Sequence, residues 1–421
     1  MLRHRMATRE AHGGVLVLGG GFAGAYVARE LGARGATIVS RENFMLYTPL
    51  LPEAASGTLE PRHCVVPLRV MCPRSELILG AVRGIDVDAR TAEVDTDEGS
   101  QTIAWQELVL ALGAVPRSLP VQGLSEHALS FKTLADAIHL RNHVLHQLEA
   151  ADAALDEEER RRRLTFVFVG AGYAGVEALA ELSDLAEDAL AFYPRLRGTP
   201  RRWVLVDAAP RILPEIPRPL GDYAAEELHS RGVEIQVDTT LESVSADEAV
   251  LGDGTRIPTN TLVWTAGVAP NPLLREWSLP LDDRGRVEVD ELLRVTGHEH
   301  VWALGDCARV PNTRSEHPDP PTCQHALRQA RRLAKNLQGP PEPYGYRMLG
   351  QVATLGRGKG IAEVLGLKLR GFAGWWVTRT YHLYQLPLAQ RKLRVVVDWT
   401  VSLFFRRDVV ELGQLGHPDH L

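Results

Sequence analysis

The sequence predicts an α/β protein with two parallel sheets, one in each of two domains, followed by a distinct helical C-terminal segment. Two strand–glycine–helix units about 150 residues apart indicate the sheets. The stretch from Lys368 to Arg407 holds eight basic residues against one acid, Asp398, and is rich in aromatic residues. With 421 residues, of which 45% are hydrophobic and 24% charged, the chain is typical of a multidomain globular protein.

The first unit begins with the apolar run at 15–18, which is typical of a buried parallel strand. Gly19, Gly21 and Gly24 follow with the spacing GxGxxG, and a helix is predicted over 25–33. In this motif the first glycine makes a tight turn, the second admits a pyrophosphate, and the third allows the helix to approach the strand. The sequence therefore predicts a Rossmann-like site for a dinucleotide.

The second unit repeats the pattern, with a strand predicted over 164–169 and a helix over 176–190. Gly170, Gly172 and Gly175 occupy the three motif positions. A lone glycine motif is a weak signal, but both copies follow a strand and open a helix. Two dinucleotide sites in one chain indicate a flavin in one and a nicotinamide in the other.

The residue after the next strand indicates which nucleotide each unit holds. In the second unit this residue is Asp207, and an acid there accepts hydrogen bonds from a ribose 2′-hydroxyl and repels a 2′-phosphate. NADH is therefore expected in preference to NADPH. In the first unit Ser40 stands where an acid is expected, followed by Arg41 and Glu42. The ribose partner there is either Ser40 or Glu42.

Three further segments read as strands that end in turns. The strand at 107–110 leads to Ala111 and Gly113, and the strand before Ala266 and Gly267 has the same form. Both of these turns suit positions at which the chain crosses from one domain to the other. The strand at 301–304 leads to Gly305 and Asp306, and the aspartate is positioned to bind a ribityl or phosphate-proximal hydroxyl.

Four segments carry a family resemblance: NFMLYTPLLP at 43–52, GAGYAGVE at 170–177, GDCA at 305–308 and PPTCQHA at 320–326. The chain resembles the flavoproteins with two dinucleotide-binding domains. Within them it is similar to the type II, non-proton-pumping NADH dehydrogenases, which reduce quinones at a membrane surface. The resemblance covers about residues 13–410.

The resemblance implies FAD and NADH as cofactors and NADH:quinone oxidoreductase activity. It implies an FAD domain at 13–120 and 280–345, an inserted NADH domain at 155–279, and a segment at 346–421 for membrane attachment or dimerisation. Thr48 and Pro49 would lie against the isoalloxazine ring. The catalytic candidates are Glu177, near the nicotinamide–flavin junction, and Gln324, beside the quinone end of the flavin.

The motifs and the resemblance together indicate the candidate cofactor-binding residues, and no metal site is expected. They are Gly19, Gly21, Phe22, Ala23, Gly24, Ser40, Arg41, Glu42, Thr48, Pro49, Ala111, Gly113, Gly170, Gly172, Tyr173, Ala174, Gly175, Glu177, Asp207, Ala266, Gly267, Gly305, Asp306, Gln324, His325 and Ala326.

One departure from the family leaves the electron acceptor open. The family pattern AQxAxQxG reads CQHALRQA at 323–330, so Arg328 stands at a glutamine position and Ala330 at the glycine. Alternative functions are a soluble NADH-dependent reductase of a ferredoxin, a rubredoxin or a small molecule, and an NADH-sensing flavoprotein. Disulfide reduction is improbable, because the region 47–57 contains no cysteine.

The C-terminal segment predicts two amphipathic helices that lie on a membrane. Phe372, Trp375, Trp376, Leu383 and Leu386 form one apolar stripe, and Leu393, Val396, Val397 and Phe404 form another. The excess of basic residues favours an anionic surface. The apolar run at 15–18 is too short for a signal peptide, so we expect a peripheral protein on the cytoplasmic side of the membrane. The alternative for these helices is packing on the protein's own core or at a homodimer interface. A net charge of −6 argues against nucleic-acid binding.

Overall fold

The computed structural model describes residues 8–411, and it has the predicted α/β architecture with two five-stranded parallel sheets. Contacts divide this part of the chain into two compact units. Unit 1 comprises 8–47, Val65–Val115 and Val268–Met348, and unit 2 comprises Thr48–Cys64, Pro116–Gly267 and 349–411. Residues 412–421, the end of the predicted C-terminal segment, lie outside the described residues.

Helices and strands are interspersed along the chain, as in an α/β protein. The helices are α1 (Phe22–Glu30), α2 (Leu51–Ala55), α3 (Leu68–Met71), α4 (Leu124–His127), α5 (Leu134–Ala153), α6 (Glu157–Arg163), α7 (Tyr173–Ala189), α8 (Arg218–Ser230), α9 (Cys323–Asn336), α10 (Gly371–Gln385) and α11 (Ala389–Phe404). The strands are β1 (Thr8–Glu10), β2 (Val15–Leu18), β3 (Thr37–Ser40), β4 (Phe44–Leu46), β5 (Val65–Pro67), β6 (Glu76–Leu79), β7 (Ala81–Asp86), β8 (Thr91–Thr96), β9 (Gly99–Ala104), β10 (Glu107–Leu110), β11 (Ala114–Pro116), β12 (Ala128–Ser130), β13 (Thr165–Val169), β14 (Arg202–Val206), β15 (Val233–Gln236), β16 (Leu241–Val244), β17 (Glu248–Leu251), β18 (Arg256–Pro258), β19 (Thr261–Trp264), β20 (Val268–Pro270), β21 (Val287–Glu288), β22 (Val301–Ala303), β23 (Ala308–Arg309), β24 (Gly350–Thr354), β25 (Gly360–Val364) and β26 (Leu367–Arg370).

Unit 1 is built on a parallel sheet with the strand order β22-β10-β2-β3-β6. Leu16 of β2 is aligned with Leu108 of β10 and with Thr37 of β3. All four residues of β2 are buried, as a strand covered on both faces requires. The carboxyl ends of these strands carry the first glycine turn, Ser40, Ala111 and the turn at Gly305–Cys307, and α1 packs against α9.

Unit 2 is built on a second parallel sheet with the strand order β12-β19-β13-β14-β15. Its core includes Val167, Val169, Val204, Val206 and Trp264. Two antiparallel three-stranded sheets, β16-β17-β18 and β24-β25-β26, belong to the same unit. The parallel sheet carries the second glycine turn and Asp207 at its carboxyl edge.

Both glycine-turn helices begin three residues earlier than the sequence analysis predicts. The predicted helices start at residues 25 and 176, whereas α1 begins at Phe22 and α7 at Tyr173. The second motif glycine, Gly21 or Gly172, is the N-cap residue with an extended backbone. The helix therefore starts directly behind the glycine turn, so its first backbone N–H groups point toward the turn.

The first apolar stripe predicted in the C-terminal segment is wrong in part. Trp375 of α10 is 7% exposed and Leu386 is 1% exposed, so both pack inside unit 2. Phe372 and Trp376 are exposed as expected. The difference arises because α10 packs on β24 and β25, which takes up one side of the stripe. Among residues 8–411, no helix combines the length and hydropathy needed to cross a bilayer.

Candidate functional site

The first glycine turn lies between β2 and α1 in unit 1. Gly19 has a φ of +114°, and a Cβ atom there would lie 2.2 Å from the carbonyl oxygen of Ala111. A Cβ on Gly24 would lie 1.9 Å from the carbonyl oxygen of Gly19. A Cβ on Gly21, by contrast, would meet no atom within 4 Å. The chain's own packing therefore requires Gly19 and Gly24, whereas the space beside Gly21 is open at the N-terminus of α1.

Ser40, at the end of β3, lies beside this turn. A Cβ on Gly20 would be 2.5 Å from Ser40 Oγ, and this oxygen accepts a hydrogen bond from the backbone N–H of Glu42 at 3.3 Å. The side chains of Arg41 and Glu42 are exposed. Which of Ser40 and Glu42 binds a ribose stays a prediction.

The turn at Gly305–Cys307, which carries Asp306, packs against the start of α1. A Cβ on Gly305 would lie 3.1 Å from Ala23 Cβ. The backbone N–H of Gly305 donates to Gln329 Oε1 at 2.8 Å, and Gln329 Nε2 donates to Asp319 Oδ2 at 2.9 Å. Gln329 and Asp319 therefore fix the turn at Gly305–Cys307. Neither residue is among the candidates predicted from the sequence. The available signal is a glutamine among the residues at helical spacing that α9 buries, which include Ala326, Ala330 and Leu333.

The N-terminus of α9 places Gln324, His325 and Ala326 in unit 1. Thr322 is the N-cap residue, and its hydroxyl accepts a hydrogen bond from the backbone N–H of His325. Burial lowers the pKa of His325, which is 4% exposed and lies 3.6 Å from Asp319. The Tyr346 hydroxyl donates to Gln324 Oε1 at 3.4 Å. The half-buried Gln324 side chain is thus held by a partner 22 residues away in sequence.

The second glycine turn, in unit 2, repeats the geometry of the first. Gly170 has a φ of +109°, and its Cβ would lie 2.6 Å from the backbone nitrogen of Ala266. A Cβ on Gly175 would lie 1.8 Å from the carbonyl oxygen of Gly170. A Cβ on Gly172 would again meet no atom within 4 Å. The open space therefore lies at the N-terminus of α7, next to Tyr173 and the exposed Ala174.

Asp207 follows β14 and contacts the second glycine turn. Its two carboxylate oxygens accept hydrogen bonds from the backbone N–H groups of Ala171, at 2.5 Å, and Ala209, at 2.7 Å. Each oxygen retains a second lone pair that suits a ribose hydroxyl. The neighbouring Arg201 and Arg202 form ion pairs with Glu187 and Glu234. These arginines are thereby engaged away from the nucleotide position.

Glu177 lies in the second turn of α7, one helical turn after Tyr173. The backbone N–H of Thr354 donates to Glu177 Oε1 at 2.9 Å. Burial raises the pKa of the Glu177 carboxyl to about 8, and the negative charges of Glu181 and Glu53 raise it further. At neutral pH the carboxyl is therefore mostly protonated and is available as a hydrogen-bond donor.

Thr48 and Pro49 are half-buried in the short turn that precedes α2, and they group with unit 2. Glu53 of α2 is buried and forms an ion pair with Arg379 of α10 at 3.2 Å. The Arg379 guanidinium lies between the rings of Trp375 and Trp399, 4.1 and 4.7 Å from their centroids. The segment that carries Thr48 is thereby fixed to the C-terminal helices inside unit 2.

A second buried arginine holds the chain that follows α11. Arg407, whose side chain is 5% exposed, lies 3.0 Å from Glu181 and 3.0 Å from Asp188. Its Nε donates to Thr58 Oγ1 at 3.1 Å. Glu181 lies one helical turn after Glu177 on α7. Neither arginine cluster could be predicted from the sequence, because only the fold brings the partners together.

The four cysteines are free thiols, and burial raises their pKa values: to about 12 for Cys64, Cys72 and Cys323, and to about 11 for Cys307. Thiols of this kind are poor nucleophiles at neutral pH. Among residues 8–411, no group of three or more histidine, cysteine or acidic side chains is placed to hold a metal ion.

The candidate residues fall into two sets, one in each unit. Unit 1 brings together the first glycine turn, Ser40, Ala111, the turn at Gly305 and the start of α9. Unit 2 brings together the second glycine turn, Glu177, Asp207 and Ala266. Each set has an open space beside the second glycine and at a helix N-terminus, which is what a dinucleotide pyrophosphate requires. The residues of both sets therefore fit dinucleotides.

Comparisons with known proteins agree with this geometry. Residues 13–330 match the family described as pyridine nucleotide-disulphide oxidoreductase. A probable NADH dehydrogenase of Dictyostelium discoideum is 32% identical, covering 89% of this chain and 85% of that protein. The type II NADH:quinone oxidoreductase Ndh of Mycobacterium tuberculosis is 30% identical, with 96% and 90% covered.

The fold is also that of solved structures. The structure of NDH2 from Plasmodium falciparum in complex with NADH superposes with a TM-score of 0.88 at 17% identity, covering 96% of this chain and 99% of that one. The family match, which spans most of the chain, and the two relatives together establish the family. This chain belongs to the pyridine nucleotide-disulphide oxidoreductase family and, within it, to the type II NADH dehydrogenases.

Proposed function

We propose that the chain is an FAD-dependent NADH:quinone oxidoreductase that does not pump protons. The observation that carries the proposal is the pair of glycine turns, each with an open space beside its second glycine. FAD, when bound, accepts a hydride from NADH and delivers two electrons to a quinone. The proposed domains are those of the sequence analysis, with FAD held by 13–120 and 280–345 and NADH by 155–279.

Within this function, the residues of unit 1 bind and orient the flavin. The N-terminus of α1 faces the pyrophosphate beside Gly21, and Asp306 binds the ribityl end from the turn that Gln329 fixes. Gln324, at the start of α9, lies at the acceptor side. His325 and Ala326 adjoin it on the same helical turn.

The residues of unit 2 bind and orient NADH. The N-terminus of α7 faces the pyrophosphate beside Gly172, and Asp207 binds the adenosine ribose. The Glu177 carboxyl, protonated at neutral pH, donates a hydrogen bond near the nicotinamide. Thr48 and Pro49, on a segment that Arg379 fixes, are the proposed contacts of the isoalloxazine ring.

Anaerobic half-reactions test this proposal. NADH is added to the oxidised holoenzyme without oxygen, and bleaching of the flavin spectrum is followed in time. The reduced protein is then mixed with a panel of quinones, and with ferredoxin and rubredoxin as rival acceptors. Rapid bleaching followed by reoxidation with quinones is expected. Reoxidation only by the small redox proteins, or slow turnover with every acceptor, contradicts the proposal.

We propose further that α11 attaches the protein to the cytoplasmic side of an anionic membrane. Leu393, Val397 and Phe404 are 65%, 51% and 77% exposed on one face of the helix, and Val396 and Val401 adjoin them. The opposite face is held inside unit 2: Val395 is buried, and Asp398 lies 2.5 Å from His63. Exposed apolar side chains flanked by arginine and lysine suit the lipid interface.

Vesicle binding tests the membrane proposal. The triple variant Leu393→Ser, Val397→Ser, Phe404→Ser is compared with wild type in co-sedimentation with anionic vesicles. We expect the triple variant to stay in the supernatant, while wild-type binding weakens with salt without vanishing, because salt screens charge but not apolar contact. The control is Leu155→Ser, which changes a 98% exposed leucine before α6. Loss of a dimer on sizing, with vesicle binding unchanged, assigns this face to a second copy instead.

A further inference from the structure

We infer that Tyr346 is a positioning residue for the acceptor half-reaction, because it holds the Gln324 carboxamide in one orientation. The inference rests on the proposed function, in which Gln324 lies at the acceptor side of the flavin. Tyr346 and Gln324 both belong to unit 1. Neither the glycine motifs nor the family pattern at 323–330 includes Tyr346.

Three contacts of the side chain fix Tyr346. Its hydroxyl donates a hydrogen bond to Gln324 Oε1 at 3.4 Å. Its ring lies edge-on to the His325 imidazole, with centroids 5.5 Å apart and planes at 79°. The Arg328 guanidinium carbon lies 4.7 Å from the ring centroid on a face. A cation over a tyrosine ring and an edge-to-face aromatic contact are both favourable arrangements.

The backbone of Tyr346 is fixed as well. Its N–H donates to Asn312 Oδ1 at 3.0 Å, and its carbonyl oxygen accepts from Asn312 Nδ2 at 2.8 Å. Asn312 is itself buried and also donates to Asp319 Oδ1 at 2.7 Å. With backbone and ring both held, the tyrosine hydroxyl has a defined position on the Gln324 side chain.

Orientation matters because the two ends of a carboxamide differ. The oxygen accepts hydrogen bonds and the nitrogen donates them. The Tyr346 hydroxyl, as a donor to Oε1, fixes that end of the carboxamide toward the tyrosine. A quinone offers carbonyl oxygens, which accept hydrogen bonds and do not donate them. The orientation that Tyr346 fixes therefore decides which end of the carboxamide a carbonyl-bearing acceptor meets.

Arg328, at which this chain departs from the family pattern, also takes part in the arrangement. It stands where the family pattern has a glutamine. Besides covering the Tyr346 ring, it donates from Nη1 to the backbone carbonyl oxygen of Gln324 at 3.4 Å. The arginine thus contacts both members of the pair. The residue that departs from the family pattern is therefore in contact with Tyr346, which orients Gln324.

The test is Tyr346→Phe in the holoenzyme, which keeps the ring and its cation contact and removes only the hydroxyl. We expect reoxidation of the reduced flavin by a soluble quinone to slow about three- to tenfold, as for loss of one hydrogen bond. Flavin reduction by NADH and FAD content should match wild type. Tyr223→Phe is the control, since its hydroxyl makes a bond of equal length, 3.4 Å, to Glu227.

A double variant shows whether Tyr346 acts through Gln324. Gln324→Leu alone should slow reoxidation, and adding Tyr346→Phe should slow it no further, since the second change then removes nothing. Additive losses, equal losses in both half-reactions, or a wild-type rate in Tyr346→Phe would overturn the inference. If quinones fail to reoxidise the wild type, the proposed function falls as well; if they succeed and Tyr346→Phe reacts normally, only this inference falls.

Discussion

The glycines of each turn differ in what surrounds them. Substitutions at different glycines can therefore distinguish an effect on folding from an effect on cofactor binding. Gly24 is required by the protein's own backbone, whereas Gly21 faces open space and has an extended backbone with a φ of −76° that valine readily adopts. Gly21→Val should therefore fold and yet lose most of its FAD, because the side chain fills the pyrophosphate space. Flavin absorbance per protein after purification measures this.

Two controls accompany this prediction. Gly84→Val adds the same side chain at another open position, in β7, and should retain full flavin content. Gly172→Val should stay yellow and lose NADH-driven reduction instead. A fully yellow Gly21→Val protein would exclude the assignment of the first turn to FAD.

Asp207 sets the choice between NADH and NADPH in the proposed site. Asp207→Ser should narrow the preference for NADH about tenfold in kcat/KM, mainly by easing repulsion of the 2′-phosphate. Asp207→Asn removes the charge and keeps one of the two oxygens that accept from the backbone N–H groups of Ala171 and Ala209, so it disturbs the turn less than serine does. Equal use of both coenzymes by the wild type would contradict the role given to Asp207.

Glu177 gives the protein a pH-dependent stability of defined sign. Its pKa of about 8 lies above that of an unfolded glutamate, so the folded chain holds a proton that the unfolded chain releases. Stability from this group is present below about pH 5 and is lost as the pH rises toward 8. Glu177→Gln should therefore flatten the fall in unfolding free energy between pH 5 and 8. Urea titrations at several pH values measure it.

The exposed Glu158 provides the control for that experiment, because Glu158→Gln changes the charge without changing a buried group. Its pH profile should follow that of the wild type. A Glu177→Gln profile parallel to the wild type would show that the carboxyl is ionised throughout the range.

At the scale of elements, the C-terminal segment is fixed to unit 2 by charge as much as by apolar contact. Arg407→Met should lower the unfolding free energy by about 3 kcal/mol or more, because Glu181 and Asp188 lose a buried counter-charge. Arg406→Met is the matched control, since Arg406 is exposed and a change there should cost less than about 0.5 kcal/mol. Equal midpoints of the two variants in urea would contradict this assignment.

Elements that depend on neighbouring residues were predictable from the sequence, whereas features that depend on tertiary packing were less so. The strands before both glycine turns were predicted because a continuous apolar run bounded by glycine depends only on neighbouring residues. The early starts of α1 and α7 were missed because the third motif glycine, Gly24 or Gly175, lies inside the helix, where glycine is unfavourable. The inward side of α10 was missed because Trp375 suits a lipid interface as well as a protein core.

For the whole molecule, the sequence indicates the candidate cofactor-binding residues more readily than the residues that support them. The glycine turns and Asp207 stand in short motifs whose spacing follows from the geometry of a pyrophosphate and a ribose. The supporting contacts join distant positions: Arg407 and Glu181 are 226 residues apart, and Trp399 and Glu53 are 346 apart. Periodicity carries no information about such pairs.

The buried arginines also bear on how the proposed membrane attachment through α11 should be removed by engineering. Deleting the chain from α10 onward removes Arg379 and Arg407, so the buried Glu53 and Glu181 and the half-buried Asp188 lose their counter-charges. Resurfacing, in which polar residues replace only the exposed apolar residues of α11, keeps both guanidinium groups in place. A resurfaced protein is therefore the better starting point for crystallisation and inhibitor screening without detergent.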